Sequence, residues 1–453
     1  MASYKIVIAA QSDDEHHQQK GLYIFGREGG IYNKVNQNVA DINVVSSRQE
    51  KDRTEVLTPR TITQTSNGLY ILTREGIFGY SKDKFSSVDF KNKPSQISAD
   101  SHLGLEELLQ TAGLSLRSAR KITQDPALSG SFSTGNGGLF FSLFATDTLR
   151  SKPQEGFLLY STNGTLDKKS LEIVSTDNGA SRFIGEVVSI GPSRALVTMA
   201  EPTKGVYVWQ KKDSPEKDVF WKESCVHSLQ QKIENVLSIS YLDLQGKRKL
   251  LYNGQSVQGI AALTDNKGGY ILFDSRTIDN PFIGKSEYKL ADPIHLFAEE
   301  SGRFLPSEAI SSALFQYKDT LYALFGCDDG KLVVMGIEIT DQGPKAHHHK
   351  TISLVSLERM ALYDGKDYHI RNLKVVHGGT PWVRFTMANL YAEMGVSTLL
   401  DTDFTPMIAA QEEKNPGEKE YHHYLKKLKE HFSLQQLCSV PHRINGFEEV
   451  GPF

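Results

Sequence analysis

The side chains best placed to do chemistry lie late in the chain. His377 ends the run Ile370 to His377 and is followed by Gly378-Gly379-Thr380-Pro381-Trp382 and then Arg384. An imidazole at a strand end, two glycines, an indole and a guanidinium can together hold a small polar ligand. His295 can occupy a comparable place. His377, Trp382, Arg384 and His295 are therefore the candidate ligand-binding residues. The commoner reading of the same residues is a structural histidine beside a plain loop. No catalytic set is assigned.

Other groupings are weaker. His347-His348-His349 follow Gly343-Pro344 and read as a solvated loop. Consecutive residues of a strand face opposite ways, so the three cannot all ligate one ion. His423 and His431 are two helical turns apart, about 12 Å along the axis, too far for one metal. His16-His17 lie in a charged loop, and no HExxH occurs, so no metal is expected. Ser129 to Gly138 is glycine-rich but lacks the Lys-Ser or Lys-Thr of a phosphate loop. By composition it reads as a flexible loop. There is no GxSxG elbow. Asp401/Asp403 and Asp328-Asp329-Gly330 are acidic pairs without further context, and the second reads as a hairpin turn. No cofactor is expected. Asn163-Gly164-Thr165 matches a glycosylation acceptor but reads better as an Asn-Gly turn.

The elements that position these residues follow from length and repetition. The chain has 453 residues, 51 basic and 54 acidic side chains, and a formal charge of −3. It is too long for one ordinary core. The near-neutral charge argues against bulk electrostatic binding to nucleic acid. The three cysteines, Cys225, Cys327 and Cys438, form neither a CxxC pair nor a disulfide framework. No apolar run reaches the ~18 residues of a membrane helix, and the apolar run Ile6 to Ala10 is short for a signal core. The expectation is a soluble protein of a reducing, cytoplasmic compartment.

Gly21-Leu-Tyr-Ile-Phe-Gly-Arg-Glu-Gly29 aligns with Gly68-Leu-Tyr-Ile-Leu-Thr-Arg-Glu-Gly76 at seven of nine positions. Looser copies begin at Gly156, Gly205, Gly268, Gly330 and Leu390. The Arg-Glu-Gly ends read as hairpin turns. Residues 183–225 show one unit whole: RFIGEVVSI, RALVTMA, VYVWQ and VFWKESC, each bounded by turn residues. Four short strands per 40–60 residues, repeated, predict an all-β fold, a β-propeller. A four-stranded sheet cannot bury both faces alone, so it must stack on copies of itself. Seven blades are expected, with six or eight as the alternatives. The strand Tyr4 to Ala10 and the C-terminal segment are expected to share a blade.

Two regions break the pattern. Residues 101–122 have helical spacing at Leu105, Leu108, Leu109 and Ala112, then Gly113 as a stop and Ser115 as a second cap. Leu105-Glu-Glu-Leu-Leu109 can dock in a partner groove, but core packing is the commoner use. Arg117, Arg120 and Lys121 on the second helix suggest a helix-turn-helix DNA reader. A single copy and a slightly acidic chain make nucleic acid an improbable partner. Residues 417–432 carry the stripe Tyr421, Tyr424, Leu425, Leu428 and Phe432 on a lysine-rich amphipathic helix.

The domains expected are a propeller over 1–400, with the helical insertion 101–122, and a tail over 401–453 whose helix 417–432 packs on or closes the propeller. The functional expectation is a non-catalytic binding scaffold with a protein partner and no membrane contact. The alternative is a propeller enzyme, a hydrolase or lyase on a sugar or phosphoester-bearing substrate. Its site would lie at the axial channel mouth, where a small molecule can bind.

Overall fold

The structure is a computed structural model. It describes residues 5–11, 21–26, 39–44, 59–73, 76–86, 96–97, 99–111, 127–135, 138–147, 152–161, 163–174, 184–191, 194–199, 205–211, 221–225, 236–244, 250–252, 255–265, 268–276, 309–317, 320–340, 343–353, 368–376, 382–389, 397–403, 433–440 and 443–450. The chain divides into two compact units, Met1–Cys225 with Val440–Phe453, and Val226–Ser439.

In the first unit the elements are β1 (Lys5–Gln11), β2 (Gly21–Gly26), β3 (Val39–Val44), β4 (Pro59–Gln64), β5 (Leu69–Thr73), β6 (Gly76–Tyr80), α1 (Lys82–Ser86), β7 (Gln96–Ile97), β8 (Ser101–Gly104), α2 (Leu105–Thr111), β9 (Ala127–Gly135), β10 (Gly138–Asp147), β11 (Lys152–Ser161), β12 (Leu171–Val174), β13 (Ile184–Gly191), β14 (Arg194–Met199), β15 (Gly205–Lys211) and β16 (Trp221–Cys225). The second unit holds β17 (Val236–Asp243), β18 (Leu250–Tyr252), β19 (Gln255–Asp265), β20 (Gly268–Arg276), β21 (Ala309–Tyr317), β22 (Thr320–Cys327), β23 (Lys331–Thr340), β24 (Gly343–Ser353), β25 (Tyr368–Val376), β26 (Trp382–Asn389), β27 (Ser397–Asp403) and β28 (Ser433–Val440). The last strand, β29 (Arg443–Val450), returns to the first unit.

Among the described residues the strands form small antiparallel sheets, each of strands close in sequence save the one that joins the two chain ends. In the first unit they run β29-β1-β2-β3, β4-β5-β6-β8, β9-β10-β11-β12 and β13-β14-β15-β16, and β7 adds to β3 in parallel. In the second they run β17-β19-β20, β21-β22-β23-β24 and β25-β26-β27-β28, with β18 also on β19. The two chain ends share a sheet, as expected, through β29 and β1.

The sheets stack face on face, and alternation along each strand decides which neighbour a side chain meets. On β5, Leu69 and Ile71 join Val7, Ala9, Leu22 and Ile24 of the preceding sheet. Tyr70 and Leu72, one residue out of step, join Leu139, Phe141 and Leu159 of the following sheet. Phe140 and Tyr160 then face Val187, Val197 and Trp209. In the second unit Ile260 and Ala262 pack on Leu321, Ala323 and Phe325. A sheet covered on both sides has no polar face, which is why β5 and β6 are buried at every position. Each fully buried leucine or phenylalanine contributes about 1.5–3 kcal/mol. Four-stranded antiparallel sheets stacked this way are the blades of a β-propeller, the fold the repeat predicts.

Several local expectations differ from the structure. The strongest internal repeat is not a structural repeat: Gly21 opens the third strand of its sheet, whereas Gly68 precedes the second strand of the next. The structural counterpart of Gly21 is Gly76, which opens β6. Its φ is +152°, and a Cβ there would lie 2.1 Å from the Leu103 carbonyl oxygen of β8, so only glycine fits. Ser129 to Gly138 is no loop. Most of it is β9, hydrogen-bonded to β10 from Gly135 back to Ala127, and pairing outweighs its poor strand propensity. His347–His349 also lie in a strand, β24, laddered to β23. Ser101–Gly104 is the outer strand of its sheet, and the helix starts only at Leu105.

Helix α2 behaves as core. Leu108 and Leu109 are buried, and Leu108 packs among Leu103, Leu139 and Leu166. Glu107 at its third position accepts the Gly104 N–H at 3.4 Å, half of a capping box. It also pairs with Lys168 at 3.0 Å, which holds its carboxyl below the usual range. The second helix of the insertion and the helix over 417–432 lie outside the described residues. The Asn163-Gly164 turn and the Asp328-Asp329-Gly330 hairpin turn are as read, with Gly164 at φ +66° and Gly330 at +72°. Cys327 is free and buried, and burial raises its thiol pKa well above normal, so it is not a nucleophile. Among the described residues no helix is long and apolar enough to cross a membrane.

Candidate functional site

The first strand of nearly every sheet carries a β-bulge. Extra residues sit between paired positions at Asn445 on β29, Arg60 on β4, Gly185–Glu186 on β13, Leu237 on β17, Ile310 on β21 and Asn372–Leu373 on β25. Only β9 runs in unbroken register with its partner. A bulge bends the strand and re-aims the side chains beside it. It is thus the feature that places polar groups along the first strands.

Many of those polar groups hold neighbouring sheets together. In the first unit Asn445 Nδ2 donates to the Pro59 carbonyl of β4 at 3.2 Å. In the second, Ser311 Oγ donates to the Ile370 carbonyl of β25 at 2.7 Å. The Ser312 N–H donates to Ser238 Oγ at 3.1 Å, and the Ser240 and Ser312 hydroxyls lie 3.1 Å apart. β22 comes so near β25 that a Cβ on Gly326 would meet Ser311 Oγ at 2.5 Å and the Ile370 oxygen at 2.8 Å. Ser311→Ala is expected to leave a buried carbonyl without its donor and cost about 1–2 kcal/mol. Urea unfolding followed by a probe in the second unit measures this, and an unchanged midpoint would refute the assigned bond.

The two widest bulges insert two residues against one, and both are pinned by a threonine of the second strand. Thr198 Oγ1 accepts the Glu186 N–H at 2.7 Å and faces the Glu186 carbonyl at 3.3 Å. Thr386 Oγ1 accepts Asn372 Nδ2 at 3.1 Å and donates to the Arg371 carbonyl at 3.1 Å. Asn372 has φ +53°, which asparagine tolerates better than most residues.

On β25 the bulge changes which side chains share a face. Arg371 pairs with Thr386 and Lys374 with Arg384. Thr386 and Arg384 are two apart on β26, so Arg371 and Lys374 share their face although they are three positions apart on β25. Ile370, paired with Met387, belongs to the opposite face, the one that packs on β21 and β22. The cationic row of Arg371, Lys374 and Arg384 therefore lies on the face away from that packing. Arg371 and Lys374 are half-buried. Arg384 has no exposed surface.

On β13 the bulge carries Glu186. The residue keeps part of its surface open, but dense protein around the carboxyl pushes its pKa up to about 7. Desolvation is the cause, since burial penalises the ionised form. A carboxyl poised near neutrality can give or take a proton at physiological pH.

Two of the four residues singled out from the sequence fall among the described ones. Trp382 and Arg384 stand two apart on β26, Trp382 half-buried opposite Val376 and Arg384 fully buried opposite Lys374. His377 and His295 lie outside the described residues. Glu186, Arg371 and Lys374 were not anticipated. The available signal was broken alternation, as in Gly185-Glu186 within an apolar run and Ser311-Ser312 within another. Among the described residues no group of three or more His, Cys, Asp or Glu is close enough to hold a metal.

No family model matches the chain, and no curated protein matches it. Among solved structures it is similar to YCF48 from Cyanidioschyzon merolae, at 12% identity and a TM-score of 0.39 over 76% of this chain and 93% of that one. A hypothetical selenium-binding protein from Sulfolobus tokodaii is similar at 10% identity and a TM-score of 0.41, over 88% and 87%. Drosophila Semaphorin 1a, extracellular domains 1-2, follows at 11% identity and a TM-score of 0.31, over 74% and 85%. The functional reading rests on this chain's own residues.

Proposed function

We propose that the protein is a non-catalytic binding scaffold whose stacked blades present binding surfaces to a protein partner. The observation that supports this is the use of the polar groups on the first strands and on the second strands that pin their bulges. Asn445, Ser238, Ser311, Ser312, Thr198 and Thr386 are engaged in hydrogen bonds that fix sheets and bulges. Such a frame is stiff, and recognition falls to loops and to the half-buried Arg371 and Lys374 of β25. A partner that uses this row carries acidic side chains.

A second reading, a hydrolase or lyase on a sugar or phosphoester-bearing substrate, is favoured by Glu186. A carboxyl held near neutrality on a bulged strand suits general acid–base work.

One experiment separates the two. The purified full-length chain and its Lys374→Glu and Glu186→Gln variants are compared in stoichiometric capture of acidic proteins and in assays on chromogenic sugar and phosphoester substrates. The scaffold reading expects capture that Lys374→Glu weakens at least tenfold, a change of about 1.4 kcal/mol, with no turnover. Turnover abolished by Glu186→Gln would overturn it in favour of the enzyme.

A further inference from the structure

The turn after β11 assembles the parts of a reaction within the chain itself. Asn163 is exposed at its tip, and Gly164 follows in the left-handed region at φ +66°. The Asn163 Oδ1 accepts the Thr165 N–H at 3.1 Å and the Thr165 hydroxyl at 2.6 Å, with Ser161 Oγ at 3.2 Å. The Nδ2 of the same amide has no partner among the described residues. The backbone around it is tied to the neighbouring sheet: Asn67 Nδ2 donates to the Asn163 carbonyl at 2.9 Å, and Tyr70 Oη donates to the Gly164 carbonyl at 2.8 Å.

We propose that Asn163 is a self-modifying site, converted to isoaspartate or aspartate by attack of the Gly164 backbone nitrogen on Asn163 Cγ. The Gly164 nitrogen loses its proton to hydroxide and forms the N–Cγ bond. The Cγ–Nδ2 bond breaks, and Nδ2 leaves as ammonia after taking a proton from water. The resulting succinimide then adds water across one of its two C–N bonds. No oxidant, reductant or cofactor takes part.

Three features of the turn favour the step. Glycine at 164 puts no Cβ in the path of the attacking nitrogen. The donors on Oδ1 stand where negative charge grows in the tetrahedral intermediate, as in an oxyanion hole. The leaving nitrogen belongs to an exposed side chain and has no partner among the described residues. The sequence has six Asn-Gly pairs, at Asn67, Asn136, Asn163, Asn178, Asn253 and Asn445. The other five are internal controls for composition. Isoaspartate adds an atom to the backbone, so it would draw the 163 and 164 carbonyls away from Asn67 and Tyr70. The conversion thus loosens a tie between two sheets and places a carboxylate at the turn.

The test is peptide mapping of the full chain aged at neutral and mildly alkaline pH, with isoaspartate quantified at each Asn-Gly pair. Asn163 is expected to convert first, and faster at higher pH because the attacking nitrogen must lose its proton. Thr165→Val is expected to slow conversion at Asn163 about tenfold, and Thr165→Ser to restore it. If Thr165→Val merely loosened the turn, conversion would accelerate at both Asn163 and Asn67, and the proposal would be wrong. Conversion first at another pair, or a rate at Asn163 indifferent to Thr165, would overturn it equally.

Discussion

Replacing Arg384 by methionine is expected to destabilise the second unit by about 3–5 kcal/mol. Arg384 has no exposed surface and sits on β26 between Val383 and Phe385, both fully buried. A guanidinium survives in such a place only where its charge and its donors are met. Methionine fills much of the volume but abandons whatever met that charge. Lysine is expected to fare little better, because a point charge cannot reproduce the planar fork. Trp382 reports the outcome directly. It is the only tryptophan between 226 and 439 and lies two residues away on the same strand. Urea unfolding followed by tryptophan fluorescence, in a Trp209→Phe, Trp221→Phe background in which only Trp382 emits, should shift to a clearly lower midpoint in both variants. An unchanged midpoint together with lost ligand binding would mean that Arg384 serves recognition rather than the fold.

Glu186→Gln is expected to do the reverse at neutral and alkaline pH. The folded carboxyl titrates at about 7, against roughly 4.3 in an unfolded chain. The folded state therefore holds its proton more tightly. Below pH ~4.3 both states are protonated and ionisation of this group imposes no penalty. As pH rises from there to about 7, the unfolded state ionises first and stability falls. Above 7 the full penalty remains. The residue keeps some open surface, so about 2 kcal/mol is a fair size, less than the raw shift implies for a dry group. Glutamine has the same shape and no proton to lose. The variant should match the wild type near pH 4, exceed it by about 2 kcal/mol at pH 8, and lack the decline between. Parallel stability–pH curves for the two proteins would show that Glu186 titrates normally.

These two residues also set different demands on the functional reading. If Arg384 is a strut, the proposed recognition on the face it shares falls to Arg371 and Lys374, which are half-buried. If Glu186 is costly to ionise, it does not serve stability at neutral pH. Natural proteins keep such residues where chemistry or recognition needs them.

The local grammar of the chain was legible because it is local. Short apolar runs bounded by Gly, Pro, Asn and Asp specify strands and hairpins from neighbouring residues alone. Residues 183–225 accordingly fold as the four strands read from them, β13 to β16. The same holds for helical spacing at Leu105, Leu108 and Leu109, and for a strand near the N-terminus, which pairs with the C-terminal strand. The need of a four-stranded sheet for cover on both faces was enough to predict stacked copies.

Tertiary packing decided the rest. A run such as Leu-Tyr-Ile at 22–24 and again at 69–71 says that a strand forms, but not whether it becomes the third or the second of its sheet. Ser129 to Gly135 and His347 to His349 look like loops until a partner strand satisfies their backbone groups. The bulges that gather Arg371 and Lys374 on one face, and that set Glu186 in a poorly solvated place, are shifts of register between two strands. Register depends on what both strands bury at once, a non-local quantity that no window of residues contains.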